Sequence, residues 1–411
     1  MTTTDRRTFM GQAAAAAMGM TLLPSAVAAF DFSRAPARIG VIGLGRQGRD
    51  ILGELAKFEG VEVTAVCDVD AKRLEAGVRR TRAAEGFASH QAMLAKASLF
   101  DAVCIATPTH VHRQVAEDAI AAGTHVYCEA PLAHTVEDAA AIALAARGSG
   151  KVFQAGLDAR SNPVYTLARS FFRSDAVRDL VGVHAQHHRK TSWRFPASDP
   201  SREAEMNWRL DPAVSLGLAG EWGTHQFDTV HWFTGRYPKS VRGVGSIRLH
   251  DDGREVADTI ACQLVYENGA VMMYDATLAN SYGGRFETLF GTNAAIKLAE
   301  THAWMFKEAD APTQGWEVYA NRQQFHNDEG ITLIAGATKL ANQGKLREGV
   351  GLPNPPLYYA LGDFLKSVTE GADVACSAEE GYRSTVVGIR AAEAVASGEE
   401  VQIAESDLRV G

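Results

Sequence analysis

Cysteine is scarce in this sequence and follows no pairing pattern. The 411 residues contain five cysteines, an odd number, spaced widely along the chain at Cys67, Cys104, Cys128, Cys262 and Cys376. Most of them sit in apolar stretches that look like strands. The sequence therefore predicts small buried side chains, and it indicates neither a disulfide framework nor a metal site.

Positive charge is also in short supply. The formal net charge is -8, and no basic stripe with interleaved aromatic residues occurs. These features argue against a nucleic-acid partner. With 46% hydrophobic and 22% charged residues, the composition is typical of a soluble globular protein of two domains and gives no sign of disorder.

Residues 1–28 differ from the rest of the chain. The adjacent Arg6 and Arg7 are followed by Phe9, a short alanine-rich run and an Ala-x-Ala site ending at Ala28. This pattern is typical of a twin-arginine export signal, although a frayed amphipathic helix is an alternative. The run is too short to span a bilayer stably. We expect a periplasmic protein, exported folded with a cofactor aboard and without a membrane anchor after cleavage.

Residues 36–154 alternate between apolar strands and helical segments joined by short turns. This alternation predicts a doubly wound parallel sheet of the Rossmann type. The first strand leads through Gly43, Gly45 and Gly48 into a helix, with Arg46 and Gln47 inside the turn. Such glycines make a tight turn, let the backbone approach a pyrophosphate and let helix and strand pack closely, so we expect a dinucleotide here.

Asp68 ends the second strand, twenty-five residues after Gly43. A carboxylate at this position binds the ribose hydroxyls of a dinucleotide and repels a 2'-phosphate, which favours NAD over NADP. Lys72 and Arg73 follow and weaken that preference. Asp68 as an ordinary strand-end turn residue remains the alternative.

Two further strand ends carry candidate cofactor-binding residues. The carboxyl edge of a parallel sheet is where ligands bind, and the stretch "ATPTHVH" places Thr107, Pro108, His110 and His112 there. Capping of the next helix is an alternative for the two histidines. The stretch "HVYCEAPLAH" adds three more candidates at the next strand end, which are Glu129, Ala130 and Pro131.

Residues 155–411 have longer strands with apolar residues at every second position. This period predicts an α+β domain with an open, mostly antiparallel sheet, followed by C-terminal helices. One face of such a sheet packs and the other faces a cleft or a partner, so self-association through the open face is expected.

A helical segment of this domain carries polar residues at a spacing of three or four. Glu221, His225, Asp228 and Trp232 would lie along one stripe of a continuous helix. Carboxylates and histidine are costly to bury unless they are paired or used. A metal site is the less favoured alternative, because no further His or Cys cluster completes it.

The motifs "GVIGLGRQGR", "ATPTHVH", "HVYCEAPLAHTVEDA", "FQAGLDARSNP" and "GEWGTHQFDTVHW" occur in this order. With them the sequence resembles the glucose-fructose oxidoreductase, inositol dehydrogenase and MocA superfamily of NAD(P)-dependent oxidoreductases over nearly the whole mature chain. Many members have Glu-Lys-Pro where this chain has Glu129-Ala130-Pro131, and that lysine assists proton transfer. Many also have Asp-x-x-x-His where this chain has Glu221-Trp-Gly-Thr-His225, so the histidine is kept and the aspartate is replaced by glutamate. The resemblance implies that His225 is the acid or base and that the lysine is missing, and Glu221 would orient His225 or share the proton.

The remaining candidates supply substrate contacts or replace the lysine. We expect a partly desolvated Lys190 near Trp193 to provide the missing cation, with a solvated lysine as the alternative. Trp193, Arg194 and Trp208 suit a carbohydrate face, although core tryptophans would look the same. Asp228 would position substrate hydroxyls. Arg160 matches a family arginine near the cofactor.

These observations predict a periplasmic NAD-dependent oxidoreductase acting on a sugar, glycoside or cyclitol. Because the periplasm keeps no pool of NAD(H), we expect the cofactor to stay bound and to be restored within each cycle. One alternative is a glycoside hydrolase resembling family 109, which uses transient oxidation and elimination. Another is an NAD-bound sugar-binding protein without catalysis.

Overall fold

The computed structural model describes residues 36–411 except 83–84, 198, 316, 318–319, 326–327, 338–339, 341–342, 344 and 346–348. The predicted export signal, residues 1–28, lies outside the described residues. The described chain forms two sheets, one of six strands and one of ten.

The first sheet is fully parallel and confirms the predicted Rossmann fold. Its strands are β1 (Ala37–Ile42), β2 (Val61–Cys67), β3 (Glu85–Phe87), β4 (Ala102–Ile105), β5 (His125–Glu129) and β6 (Phe153–Gly156). They pair in the order β3-β2-β1-β4-β5-β6. The central strand β4 is buried at every residue because helices cover both faces.

The helices of this domain begin and end at residues suited to those positions. They are α1 (Arg46–Leu55), α2 (Ala71–Thr81), α3 (His90–Leu94), α4 (His112–Ala121) and α5 (Val136–Ser149). In α5, the Thr135 side chain accepts a hydrogen bond from the Asp138 N–H at the start, and Gly150 ends the helix in the left-handed conformation.

The second sheet confirms the predicted open, mostly antiparallel architecture. Its strands are β7 (Leu180–His188), β8 (Pro238–Ser246), β9 (Thr259–Tyr266), β10 (Val271–Thr277), β11 (Arg285–Gly291), β12 (Ala294–Ala299), β13 (His302–Lys307), β14 (Arg322–Gln324), β15 (Glu329–Thr332) and β16 (Val401–Gln402). The order is β14-β15-β13-β12-β11-β7-β10-β9-β8-β16. Strands β7 and β10 are parallel, and the other described pairs are antiparallel.

The helices of the second half pack on both domains. They are α6 (Pro163–Arg173), α7 (Glu203–Met206), α8 (Gly217–Glu221), α9 (Gly223–Thr234), α10 (Pro356–Glu370) and α11 (Ala378–Ser397). Leu361 and Phe364 of α10 belong to the same core as Ile39 and Ile51 of the Rossmann domain. The C-terminal chain therefore returns to cover the first sheet.

The five cysteines are free and buried, as the sequence predicts. The described residues contain neither a helix long and apolar enough to cross a membrane nor a cluster of three metal-ligating side chains.

Candidate active site

The glycine-rich turn has the shape that a dinucleotide requires. A Cβ on Gly43, whose φ is +92°, would lie 2.6 Å from the Ala106 carbonyl oxygen, and a Cβ on Gly48 would lie 1.8 Å from the Gly43 carbonyl oxygen. Both positions therefore demand glycine. Above Gly45 the space is open, because the nearest atom to its would-be Cβ is an Arg73 guanidinium nitrogen at 3.8 Å. This opening fits the close approach of a pyrophosphate.

Asp68 is fixed by the turn that it closes. Its Oδ2 accepts a hydrogen bond from the Leu44 N–H at 2.7 Å, and its Oδ1 accepts one from the Asp70 N–H at 2.8 Å. Each carboxylate oxygen has a second lone pair for a ribose hydroxyl. The turn role is thus present in the structure, and the ribose contact stays a prediction.

His112 does not face the cofactor groove, contrary to our expectation. Its side chain is 1% exposed, and its two ring nitrogens contact the carbonyl oxygens of Thr107 at 2.9 Å and Pro131 at 3.1 Å. Burial lowers the pKa of His112 to about 4. A neutral imidazole has a single N–H, so the ring donates to one of these two carbonyl oxygens and lies against the other, between the loops after β4 and β5.

Thr107 and His110 keep polar atoms for a ligand. The Thr107 hydroxyl and the His110 Nδ1 are buried and have no hydrogen-bond partner among the described residues. The His110 ring meets the rings of His134 at 6.1 Å and Trp208 at 5.7 Å between centroids. Pro108 immediately precedes the single 3-10 turn that carries His110. This edge therefore remains a candidate contact for the cofactor.

Glu129 links the end of β5 to the glycine-rich turn. Gln47 Nε2 donates to Glu129 Oε1 at 2.9 Å. Burial raises the pKa of Glu129 to about 8, which keeps the carboxyl neutral at pH 7. The Ala130–Pro131 peptide bond that follows is cis, and the Ala130 methyl group adds no ionisable atom.

Glu221 and His225 lie on two short helices, whereas the sequence predicted one. The helical conformation is interrupted at Trp222, which separates α8 from α9. Glu221 Oε2 accepts a hydrogen bond from the Thr109 hydroxyl at 3.1 Å and lies 3.9 Å from Arg209 Nε. Glu221 Oε1 is buried and has no partner among the described residues. Burial raises the pKa of Glu221.

His225 lies close to Ala130 and to a buried ion pair. Burial lowers the pKa of His225, the Asp158 carboxylate offsets part of this, and Arg285 lowers it further. A hydrogen bond with the Ala130 backbone also raises the pKa of His225 and offsets part of the effect of burial. His225 Nδ1 is buried and has no hydrogen-bond partner within the described chain. The imidazole is thus neutral and available as a base.

Arg285, the first residue of β11, is a site residue that is not among the candidates from the sequence. Its Nη1 lies 3.9 Å from Asp158 Oδ1, and its Nε lies 3.6 Å from Glu287 Oε1. Burial lowers the pKa of Arg285, but Asp158 and Glu287 outweigh this and raise it above its usual range. A permanent positive charge therefore lies beside His225, in the region that the missing lysine leaves without one.

His187 was also missed by the sequence analysis. It faces Arg285 in the pairing of β7 with β11. Its ring stacks on Trp222 with centroids 3.9 Å apart and planes 13° apart. Burial lowers the pKa of His187 to about 2, so the ring is neutral. The alternation of side chains along each strand does not show that His187 and Arg285 are neighbours. That requires the pairing register of two strands about 100 residues apart in the chain, which the sequence does not give.

Five residues thus form what we call the polar cluster. Asp158 of the 3-10 turn after β6, His187 of β7, His225 of α9 and Arg285 of β11 interact with one another, and Glu221 of α8 precedes His225 by four residues in the chain.

Asp228 and Arg160 pair with each other, which corrects both of their predicted roles. Arg160 Nη2 donates to Asp228 Oδ1 at 2.8 Å, and Arg160 Nε donates to Asp228 Oδ2 at 2.9 Å. The Ser384 hydroxyl donates to Asp228 Oδ1 at 2.7 Å, and Glu380 binds Arg160 from the other side. Asp228 has no exposed surface. A carboxylate enclosed in this way does not reach a substrate.

The structure also contradicts the predicted roles of Lys190, Arg194 and Trp193. Lys190 is exposed, so its expected desolvation is wrong, and its backbone N–H donates to the Ser281 hydroxyl. Arg194 turns to Asp252 and Glu203, each at 2.9 Å, so its guanidinium is taken up by these carboxylates. Trp193 is 8% exposed and belongs to the core of the second domain.

Trp208 is the third member of the predicted carbohydrate face, after Trp193 and Arg194. It is 7% exposed, its ring meets His110, and the Arg209 guanidinium lies 4.3 Å above it. Trp208 therefore lies at the contact between the two domains.

Both halves of the chain match one family. Residues 37–157 match an oxidoreductase family with an NAD-binding Rossmann fold, and residues 183–403 match the C-terminal alpha/beta domain of the same family, GFO_IDH_MocA.

Similar proteins act on sugars or cyclitols according to their names. An inositol 2-dehydrogenase of Arthrobacter sp. (strain FB24) is 32% identical over 207 residues, which cover 50% of this chain and 56% of that protein. The match thus spans just over half the length of this relative. A solved levoglucosan dehydrogenase in complex with NADH and L-sorbose has a TM-score of 0.71 at 21% identity, covering 90% of this chain and 100% of that chain. An aldose-aldose oxidoreductase from Caulobacter crescentus, complexed with glycerol, has a TM-score of 0.69 at 19% identity over 90% and 100% of the two chains.

Proposed function

The chain belongs to the Gfo/Idh/MocA oxidoreductase family, and from this premise we propose that it oxidises or reduces a ring carbon of a sugar, glycoside or cyclitol with NAD. We propose further that the protein works in the periplasm and that its NAD stays bound and is restored within each catalytic cycle. The inositol and levoglucosan dehydrogenases that it resembles support the substrate class.

The observation that carries the proposal is a set of buried polar atoms that make no hydrogen bond in the described chain, two of which, Asp158 Oδ1 and Arg285 Nε, have only ion-pair contacts at 3.9 and 3.6 Å. Glu221 Oε1, His225 Nδ1, Asp158 Oδ1 and Arg285 Nε are all buried and lack a hydrogen-bond partner within the described residues. Buried polar atoms are costly to leave unpaired, so such a group indicates a ligand with several hydroxyls. A ring polyol meets this requirement.

The cofactor residues fit NAD. Gly43, Gly45 and Gly48 leave room for the pyrophosphate, and Asp68 directly follows β2, where a 2'-phosphate would be repelled. When bound there, NAD accepts a hydride from a carbinol carbon or returns one.

His225 moves the proton in this proposal. Its imidazole is neutral because burial lowers the pKa, so it takes the hydroxyl proton of the substrate as the carbon is oxidised and gives it back on reduction. Glu221 lies four residues earlier in the chain, at the end of α8, and its raised pKa lets it share that proton. The Arg285 guanidinium stabilises negative charge that develops on the substrate oxygen. This assignment needs no lysine at position 130.

Recycling of the cofactor follows from the proposed export. A protein delivered to a compartment without an NAD(H) pool stops after one turnover if it releases reduced cofactor. The hydride must then return to the same substrate or pass to a second carbonyl compound. The similarity in fold to an aldose-aldose oxidoreductase supports this idea, because its name describes transfer between two sugars.

A second candidate function is hydrolysis of a glycoside by transient oxidation, elimination, addition of water and return of the hydride. The observation that favours it is the presence of two buried proton-handling groups four residues apart in the chain, Glu221 and His225. One would remove the proton next to the transient carbonyl group and the other would protonate the leaving group.

Self-association through the open face of the second sheet is also proposed. Val244, Met273 and Phe290 point outward from β8, β10 and β11 and are 65%, 47% and 42% exposed. A sheet face with such residues favours a second copy of the chain.

A substrate panel tests the proposal. Purified protein is incubated with inositols, levoglucosan, single aldoses, pairs of an aldose with an aldehyde acceptor, and aryl glycosides. NADH absorbance and product formation are followed together. We expect product without steady accumulation of NADH. Release of an aglycone selects the hydrolytic candidate, and NADH formed in proportion to product from added NAD refutes recycling. Absence of NAD binding, or sugar binding without any product over the whole panel, refutes the enzymatic proposal.

A further inference from the structure

Glu287 is a buried carboxyl group that the proposed mechanism leaves without a role. It lies in β11, opposite Ala185 of β7 and Leu298 of β12, and it has no exposed surface. The next side chain on the same face of the strand, Leu289, is packed in the core of the second domain. A carboxyl group in such surroundings is costly unless it is paired. The contacts of Glu287 therefore indicate what it does.

Tyr165 and Arg285 contact different oxygens of the Glu287 carboxyl group. The Tyr165 hydroxyl donates to Oε2 at 3.0 Å, and the Glu300 N–H donates to the Tyr165 oxygen at 3.0 Å. Arg285 Nε lies 3.6 Å from Oε1. Burial raises the pKa of Glu287, whereas the Arg285 guanidinium and the Tyr165 hydroxyl lower it. A permanent cation and a hydroxyl donor thus favour the carboxylate form.

Arg285 is attracted by two carboxyl groups, each through a different nitrogen. It lies two residues before Glu287, on the same face of β11. Its Nη1 is 3.9 Å from Asp158 Oδ1, on the opposite side of the guanidinium contact that Nε makes with Glu287. Both distances are longer than hydrogen bonds, and Nε has no hydrogen-bond partner in the described chain. Charge alone therefore sets the place of the guanidinium, and its Nε–H stays available.

Gln226 fixes the start of α9 over the strands that carry His187 and Arg285. Its side chain has no exposed surface, and its Nε2 donates to the Gln186 carbonyl oxygen at 3.1 Å and to the Phe286 carbonyl oxygen at 3.0 Å. His225 directly precedes Gln226, and Phe286 directly follows Arg285. These hydrogen bonds hold the backbone of both site residues, so the side chain of Arg285 is the part that still needs fixing.

We propose that Glu287 is a positioning residue, whose carboxylate holds the Arg285 guanidinium where negative charge develops on the substrate oxygen, and that the Tyr165 hydroxyl holds this carboxylate. The inference rests on the proposed function, in which Arg285 stabilises that charge. Without Glu287, the attraction of Asp158 is unopposed and the guanidinium shifts towards it. A displacement of about 1 Å is enough to cost roughly 10²-fold in rate.

The test compares the parent with Glu287→Gln and with the control Glu329→Gln. Glu329 is exposed and pairs with Arg322 at 2.8 Å near the edge of the same sheet. The substrate is the compound of the panel above that the parent converts fastest. We expect kcat to fall roughly 10- to 100-fold in Glu287→Gln. KM and the amount of bound NAD should stay within about threefold of the parent, because the charge on the oxygen develops only in the transition state. The control should keep kcat within about threefold of the parent.

A double-variant cycle separates positioning from a purely structural role. Arg285→Ala should lower kcat at least as much as Glu287→Gln does. Adding Glu287→Gln to Arg285→Ala should lower kcat by less than about threefold more, because Glu287 acts through Arg285 and the two losses are not additive. A residue that only stabilises the fold would lower kcat by the same factor with and without Arg285.

Tyr165→Phe decides the matter if Glu287→Gln fails to fold. It keeps the ring and removes the hydroxyl that holds Glu287, so kcat should fall by more than about threefold, and only while Arg285 is present. A parent that converts no compound of the panel refutes the proposed function. An active parent whose folded variant keeps kcat within about threefold, or loses it equally without Arg285, overturns the positioning role alone.

Discussion

The Thr109 hydroxyl donates a hydrogen bond to Glu221 across the domain boundary, with 3.1 Å between Oγ1 and Oε2. Thr109 follows the end of β4 in the Rossmann domain, whereas Glu221 ends α8 in the second domain. Both side chains are buried. The bond therefore fixes the carboxyl group of Glu221 relative to the cofactor edge, and it leaves Oε1 free for the substrate.

Replacement of Thr109 tests this link. Thr109→Val keeps the shape of the side chain and removes the hydrogen-bond donor. A hydrogen bond contributes about 1.5–3 kcal/mol when its acceptor is charged and less when the acceptor is neutral. We expect turnover to fall about tenfold while the amount of bound NAD stays unchanged. Thr109→Ser keeps the hydroxyl and should restore most of the activity. Equal turnover in Thr109→Val and the parent would show that Glu221 is positioned without this bond.

His225 is the proposed proton carrier, and His225→Ala should lower turnover by roughly 10²- to 10⁴-fold. NAD binding should remain close to that of the parent, because the glycine-rich turn holds the cofactor. His90→Ala is the matched control, since His90 pairs with Asp118 on the outer helices of the Rossmann domain. If His225→Ala retains activity within about threefold of the parent, His225 lies outside the mechanism.

The Arg160–Asp228 pair is predicted to stabilise the fold. Asp228→Asn removes the partner of a buried arginine, which typically costs about 3–5 kcal/mol of unfolding free energy. The double variant Arg160→Met with Asp228→Leu should lose less, because it removes both charges. Urea unfolding of the cofactor-free proteins measures these free energies. An Asp228→Asn protein that is as stable as the parent but inactive would show that Asp228 acts in substrate binding and not in stabilising the fold.

Glu129 should make stability depend on pH. Its pKa of about 8 in the folded protein lies above the value of about 4.3 in an unfolded chain. The folded state therefore holds an extra proton between these values, and the stability contributed by the neutral carboxyl is present below pH 4.3 and is lost as pH rises towards 8.

Glu129→Gln keeps a neutral side chain at every pH. We expect the unfolding free energy of this variant, relative to that of the parent, to be larger at pH 9 than at pH 5 in nucleotide-free protein. Glu75→Gln, on the exposed face of α2, serves as the control. A difference between Glu129→Gln and the parent that is the same at both pH values would contradict the raised pKa.

The sequence was sufficient for features that depend on local pattern. The glycine turn, the alternation of strands and helices and the period-two strands of the second sheet are all encoded within short windows. The same applies to the placement of Glu129 at a strand end, because a proline two residues later stops the strand.

The features that were missed depend on contacts between distant residues. Arg160 and Asp228 are 68 residues apart in the chain, so their pairing was not visible and each was assigned to a ligand. Arg285 and His187 meet only through strand register. Lys190 was chosen as the replacement cation by its neighbours in sequence, but the strand end where it lies is exposed.

The most direct test of the account is the cofactor content of protein purified without added nucleotide. Retention through gel filtration requires a dissociation constant of roughly micromolar or tighter, about 8 kcal/mol of binding free energy or more. We predict that denaturation releases about one NAD(H) per chain and that the intact protein converts a sugar or glycoside with no nucleotide supplied. Protein that emerges empty and consumes added NAD in proportion to substrate would contradict the account and identify an ordinary dehydrogenase.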